Sequence, residues 1–234
     1  MIDELNFDIE IPDIDFDIPV AQNGFSTRYK KAKICKDLPT NQIKYSNAQK
    51  LARDIKFDAG MRYDCIISGN FIFGDFIEAF VTHNNAKCKD MTISTLSLDQ
   101  NNVDSLSALL KNGYVDQMNL IISDYFYAHE RPALIPYIYD KLDVDNRFQL
   151  AAAGTHTKIV LIETIGGKKI VMHGSANLRS SSNIEQFTIE ENPTLYDFHF
   201  EFHSRILDEY KTINKDIKRS KSIRGNELWN IVNK

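Results

Sequence analysis

The chain has 234 residues, 43% of them hydrophobic and 26% charged, and a formal net charge of −4. That length suits one domain with a sizeable core, and the composition is that of a soluble globular protein. No stretch is apolar enough to span a bilayer. The start, Met1-Ile2-Asp3-Glu4, has no basic region before an apolar one, so a secretory leader is not expected. Cys35, Cys65 and Cys88 are odd in number and form no Cys-x-x-Cys, which points to reduced thiols and a cytoplasmic protein.

Charge is unevenly placed. Residues 1–20 hold seven Asp and Glu and no Lys or Arg, whereas residues 211–234 hold seven Lys and Arg against two acids. The acidic total therefore does not exclude an anionic substrate. In residues 1–28 acids alternate with apolar side chains and Pro12 and Pro19 interrupt, so an extended acidic arm is expected. Such an arm is either a plain tail, a cover over a basic surface, or a docking segment. Residues 29–215 read as one domain, and 216–234 as a basic tail whose charges form a solvated face or contact a polyanion.

In chain order, residues 41–58 suit a helix with Asn41 as its cap. Asp64 to Asn70 reads as a short buried strand, and Phe76 to Val81 as the helix after it. Met91 to Ser97 is β-rich, and Val103 to Leu110 is helical in period. Met118 to Tyr125 is a third buried strand. Arg131 to Leu142 is a helix with Pro132 near its first turn, and Arg147 to Ala153 is a fourth strand. Ile159–Ile162 and Lys169–Met172 flank Gly166-Gly167, a pair suited to the positive φ of a tight hairpin. Phe187 to Glu190 is a short strand, and Asn192-Pro193 opens a helix to about Lys215. This alternation predicts an α/β domain, a mixed sheet with helices on both faces. Phe71, Phe73, Phe76 and Phe80 read as core rather than as a base-stacking platform.

One thirty-residue stretch carries the chemistry. His156-Thr157-Lys158 stands before an apolar run, and the two polar side chains, two apart, are expected to share a strand face. Gly174-Ser175-Ala176-Asn177 then supplies small donors, and Gly174 lets a backbone approach closely. Asn183-Ile184-Glu185 adds a carboxylate that can fix the tautomer of an imidazole. An imidazole can attack phosphorus and leave again, while lysine, Ser and Asn meet charge on phosphate oxygens. The leaving alkoxide needs a proton, which calls for a second imidazole on the far side.

These residues resemble the signature of the phospholipase D superfamily: His-x-Lys, four residues, an acid, then Gly-Ser-x-Asn and often Asn-x-Glu. The resemblance covers roughly residues 60–210 and implies a phospholipase D-like mixed sheet. It implies that His156 is the nucleophile that forms a phosphohistidine. Lys158 and Asn177 would hold phosphate oxygens, Ser175 would line the same pocket, and Glu185 would orient an imidazole. Glu163 stands where the family has Asp, and the gap from Glu163 to Gly174 is longer than usual; the Gly166-Gly167 hairpin absorbs it. Gly174, Glu163 and His129 are the candidate substrate contacts.

The resemblance further implies a homodimer, because two His-Lys motifs must face each other and this chain has one. It implies no metal and no cofactor, lysine and imidazolium taking their place. The expected activity is a phosphodiesterase, an endonuclease on DNA or RNA. The alternatives are a lipid or small-molecule phosphodiesterase or transferase, and a non-catalytic nucleic-acid-binding or assembly protein. His173 is expected to be a hydrogen-bonded structural histidine. His199 and His203, four apart on a helix, lack an evident third metal ligand and read as packing residues.

Overall fold

The computed structural model describes residues 30–35 and 40–45 as backbone, and 48–55, 60, 62–67, 71–179 and 183–212 in full. The acidic arm over 1–28 and the basic tail over 216–234 lie outside the described residues. The strands are β1 (Lys30–Cys35), β2 (Thr40–Tyr45), β3 (Arg62–Ile67), β4 (Cys88–Thr95), β5 (Val115–Ser123), β6 (Phe148–Ala153), β7 (Ile159–Thr164), β8 (Lys169–Gly174) and β9 (Glu185–Glu191). The helices are α1 (Ala48–Asp54), α2 (Phe73–His83), α3 (Gln100–Lys111), α4 (Asp124–Glu130), α5 (Leu134–Leu142) and α6 (Pro193–Tyr210).

The strands form one mixed sheet in the order β1-β2-β3-β9-β8-β7-β4-β5-β6. Pairs β2–β3, β4–β5 and β5–β6 are parallel, and β7, β8 and β9 run antiparallel to their neighbours. Residues alternate between faces. Met91, Ile93, Met118, Leu120, Val160, Ile162, Ile170, Met172, Phe187 and Ile189 point to one side, into the main core with α1, α2, α3 and α5. Ile121, Leu161 and Val171 point to the other, where α6 lays Tyr196, Ile206 and Tyr210 on them. Helices thus cover both faces, as the alternation of elements predicts.

Phe71, Phe73, Phe76 and Phe80 are all buried core, and Phe187 meets three of them at ring-centroid distances of 4.8–6.2 Å. Each such ring removes about 2–3 kcal/mol worth of apolar surface from water. Cys65 and Cys88 are buried free thiols, and burial pushes Cys88 up to about 12, far from the range of a reactive thiolate.

Three elements depart from the sequence reading. Residues 41–58 are not one helix: Thr40–Tyr45 is β2, and the helix begins only at Ala48. The helix expected over Arg131 to Leu142 begins only at Leu134, because Pro132 sits in the turn between α4 and α5 rather than in a first helical turn. Tyr125 belongs to α4, whose cap is the Ser123 hydroxyl accepting from Phe126 N–H at 3.0 Å. The hairpin stands as expected, and the last helix starts as expected but ends at Tyr210, short of Lys215, as Lys211 turns to bridge Ala151. Gly167 has φ +81°, and Asn192 caps α6 by accepting from Leu195 N–H at 3.0 Å, with Pro193 in the first turn.

His203 on α6 is 1% exposed, and neither ring nitrogen has a hydrogen-bond partner among the described residues. Burial, with a smaller effect from His199, lowers it to about 4. A histidine kept neutral in the fold takes up its proton on unfolding, so stability is whole above pH 6.5 and falls as pH drops from there towards 4. The expected loss over that window is roughly 3 kcal/mol. Denaturant melts at pH 7 and pH 4.5 check it, and His203→Phe is expected to flatten the difference.

Candidate active site

One rim of the sheet gathers the motif. Along the register, Ile67 pairs with Glu185, Phe187 with Gly174, His173 with Ile159, Ile159 with Ser94, and Ser123 with Ala153. The carboxyl ends of the parallel strands β3, β4, β5 and β6 therefore open on this rim, the usual ligand edge of an open α/β sheet. His156 and Lys158 follow β6 by three and five residues and precede β7. They lie in the connecting loop, not on the strand expected for them.

Lys158 curls back on His156. Its Nζ lies 2.8 Å from His156 Nδ1 and donates to the His156 carbonyl at 3.1 Å. His156 is exposed and Lys158 half-buried. Partial burial lowers the Lys158 ammonium, and the Glu185 carboxylate opposes that shift. Ser175 is exposed. Its hydroxyl donates to Glu185 Oε2 and accepts from Gln186 N–H at 3.1 Å, and its own N–H donates to the Gln186 carbonyl at 2.9 Å. Ser175 thus pins the turn to β9 and holds Glu185 in place. Asn177 is half-buried between buried Ala176 and Leu178, and its Oδ1 has no partner among the described residues.

Gly174 is required by its neighbours. A Cβ there would overlap the Gln186 carbonyl and come within 2.6 Å of Phe187 Cα. The close approach that the sequence suggests is made by β9, while Gly174 N–H donates to the Lys158 carbonyl at 3.2 Å. Gly174 therefore ties the loop that carries Lys158 to the strand that carries Glu185.

Two candidates do not join this group. Glu163 sits near the far end of β7, five residues beyond Lys158, or about 16 Å along an extended strand. Its Oε1 pairs with Lys89 at 3.0 Å, and it raises its neighbour Asp90, whose pKa burial has already lifted. Glu163 is thus a strand-end ion pair and not a substrate contact. His129 is exposed on α4, its ring 3.9 Å from the Tyr125 ring and its Nδ1 2.9 Å from the Tyr125 carbonyl. Its contacts are with its own helix at the same rim. His173 meets Glu190 at 3.4 Å and lies 6.5 Å from the His199 ring, on the α6 face.

The sequence reading passed over Thr157, the residue between His156 and Lys158. Its hydroxyl lies 2.6 Å from Ser94 Oγ and 2.9 Å from Thr155 Oγ1, and its N–H donates to Thr155 Oγ1 at 3.2 Å. Ser94 and Thr155 are 2% and 9% exposed. This buried hydroxyl chain fixes the loop that presents both chemical side chains. Thr157→Val is expected to cost about 1–2 kcal/mol of stability, and Thr157→Ser should restore it, as denaturant melts would show.

A cavity of about 530 Å³ lies between α1 and α2 among Arg53, Asp75, Glu78 and His83, and none of the motif residues lines it. A smaller one of about 350 Å³ lies where Leu98, Ala133, Leu134 and Arg179 meet, beside the Asn177 turn.

No family model and no curated protein matches the chain. The chain is similar to three solved structures at low identity. TrmBL2, an archaeal chromatin protein with a novel mode of DNA binding, is 10% identical over 74% of this chain and 57% of its own, with a TM-score of 0.41. Phosphatidylserine synthase from Haemophilus influenzae Rd KW20 is 11% identical over 80% of this chain and 46% of its own, with a TM-score of 0.46. Nuc from Salmonella typhimurium, a phospholipase D family member, is 17% identical over 60% of this chain and 88% of its own, with a TM-score of 0.45.

Proposed function

We propose that this chain is a metal-independent phosphodiesterase acting on nucleic acid through a phosphohistidine at His156, in a site shared by two copies. The observation that carries the reading is the convergence of His156, Lys158, Ser175, Asn177 and Glu185, from two segments, on one open rim of the sheet.

In the resting arrangement the ammonium donates to Nδ1, which places the ring proton on Nε2 and engages the imidazole's one lone pair. An anionic phosphate oxygen competes for Lys158 and frees that lone pair. The freed nitrogen attacks phosphorus, a P–N bond forms, and the P–O bond to the leaving group breaks. The alkoxide takes a proton from the second copy's His156, which enters the reaction as imidazolium, protonated at Nδ1 and so not accepting from its own Lys158. That imidazole, now neutral, takes a proton from water, whose oxygen attacks phosphorus and breaks the P–N bond. Lys158 and Asn177 hold the equatorial oxygens throughout. Exposure of His156 and Ser175 on the open rim leaves room for a second copy.

The test is turnover of DNA, RNA and an aryl phosphodiester in chelator, with acid-labile phosphate trapped on His156 and mass measured in solution. Hydrolysis in chelator by a dimer supports the reading. No turnover on any of the three, or full activity in a strict monomer, removes it.

A further inference from the structure

Beside the Asn177 turn lies the cavity of about 350 Å³ formed by Leu98, Asp99, Glu130, Ala133, Leu134 and Arg179. These residues come from the end of the β4–α3 connection, the α4–α5 turn and the segment after β8, so the cavity is a product of the fold and not of one motif. It lies at the same rim of the sheet, Leu98 and Asp99 following the end of β4 by three and four residues. Leu178 N–H donates to Thr95 Oγ1 at 3.4 Å, and Ser94, next in the chain, holds Thr157. Arg179 is two residues from Asn177, at most about 7 Å of chain. A group joined to a phosphate held by Lys158 and Asn177 reaches this hollow with little reorganisation.

The chemistry of the lining selects the group. Leu98 and Leu134 give apolar walls. Asp99 and Glu130 put two carboxylates against one guanidinium, a balance that repels a second phosphate. Asp99 caps α3 with Oδ1, accepting from Asn102 N–H at 3.0 Å, and its Oδ2 has no hydrogen bond among the described residues. A planar group with amino donors fits: carboxylates accept from exocyclic N–H, and a guanidinium lies flat on a base. The volume lies at the lower end for a small-ligand pocket.

Resting on the phosphodiesterase reading for its anchored phosphate, we infer that this cavity is a nucleobase subsite that prefers bases carrying an exocyclic amino group, adenine, cytosine or guanine, over uracil or thymine. Arg179 covers the base, and Asp99 and Glu130 accept from its amino group.

The experiment is calorimetric titration of the intact protein with adenosine monophosphate, uridine monophosphate and inorganic phosphate. Wild type, Ala133→Trp and Glu130→Gln are compared, and rates on an aryl diester without a base run in parallel. Ala133 is exposed, so an indole there fills the mouth without entering the core. Expected are adenosine monophosphate binding at least tenfold tighter than phosphate, loss of that advantage in Ala133→Trp, and a several-fold smaller adenosine-over-uridine preference in Glu130→Gln. Phosphate binding and aryl diester rates should not move. Equal binding of nucleotide and phosphate, or an undiminished advantage in Ala133→Trp, overturns the subsite. A base-dependent affinity without hydrolysis of any diester keeps the subsite and removes the enzymatic reading instead.

Discussion

His156→Ala is expected to lower kcat on a phosphodiester by about 10⁴-fold while leaving the melting temperature within about a degree or two of wild type. The size follows from what is lost. In the proposed mechanism no P–N bond forms without the imidazole, and what remains is binding and electrostatic stabilisation by Lys158 and Asn177. The stability forecast follows from place. His156 is exposed, and its side-chain hydrogen bond, to the Lys158 ammonium, is a surface contact worth little. Binding of a substrate analogue should persist, since Lys158 no longer has the ring as a competing partner. Lys158→Ala added to His156→Ala should cost far less than it does alone, because the two act as a unit. A His156→Ala enzyme that keeps a tenth of wild-type kcat would show that another group attacks.

The motif is legible in sequence because its parts are close in the chain and each part is chemically distinctive. The Gly166-Gly167 hairpin and the Asn192-Pro193 helix start are legible for a similar reason: a positive φ and a first-turn proline are local demands with few residue types to meet them. Glu163 shows where spacing misleads. Seven residues from His156 is near in the chain, but an extended strand turns those residues into distance and carries the carboxylate to the opposite edge. The Lys-rich β1 and the polar β2, Thr-Asn-Gln-Ile-Lys-Tyr, lack apolar alternation, so Asn41 reads as a helix cap although it lies in a strand. The hydroxyl chain through Thr157 and the cavity at Arg179 are joined only by tertiary contact. Ser94 lies 63 residues from Thr157, and no local pattern announces the pair.

Gly174→Ala is expected to destabilise the protein by about 3 kcal/mol, at the upper end for overpacking, and to lower kcat/KM by at least tenfold. The added methyl would meet the Gln186 carbonyl and stand 2.6 Å from Phe187 Cα. These are backbone or core atoms. Phe187 is 1% exposed and packed against Phe71, Phe73 and Phe76, so β9 cannot give way without disturbing the aromatic core. The strain is relieved by parting β8 from β9. That separation weakens the mutual hydrogen bonds of Ser175 and Gln186, shifts Glu185, and moves the Lys158 carbonyl that accepts from Gly174 N–H. Stability and activity are therefore coupled here, whereas at His156 they are independent. Denaturant melts and rates measured on the same samples separate the two cases. A Gly174→Ala protein with wild-type stability would mean that β8 and β9 do not lie this close, and the placement of Glu185 beside Ser175 would fall with that contact.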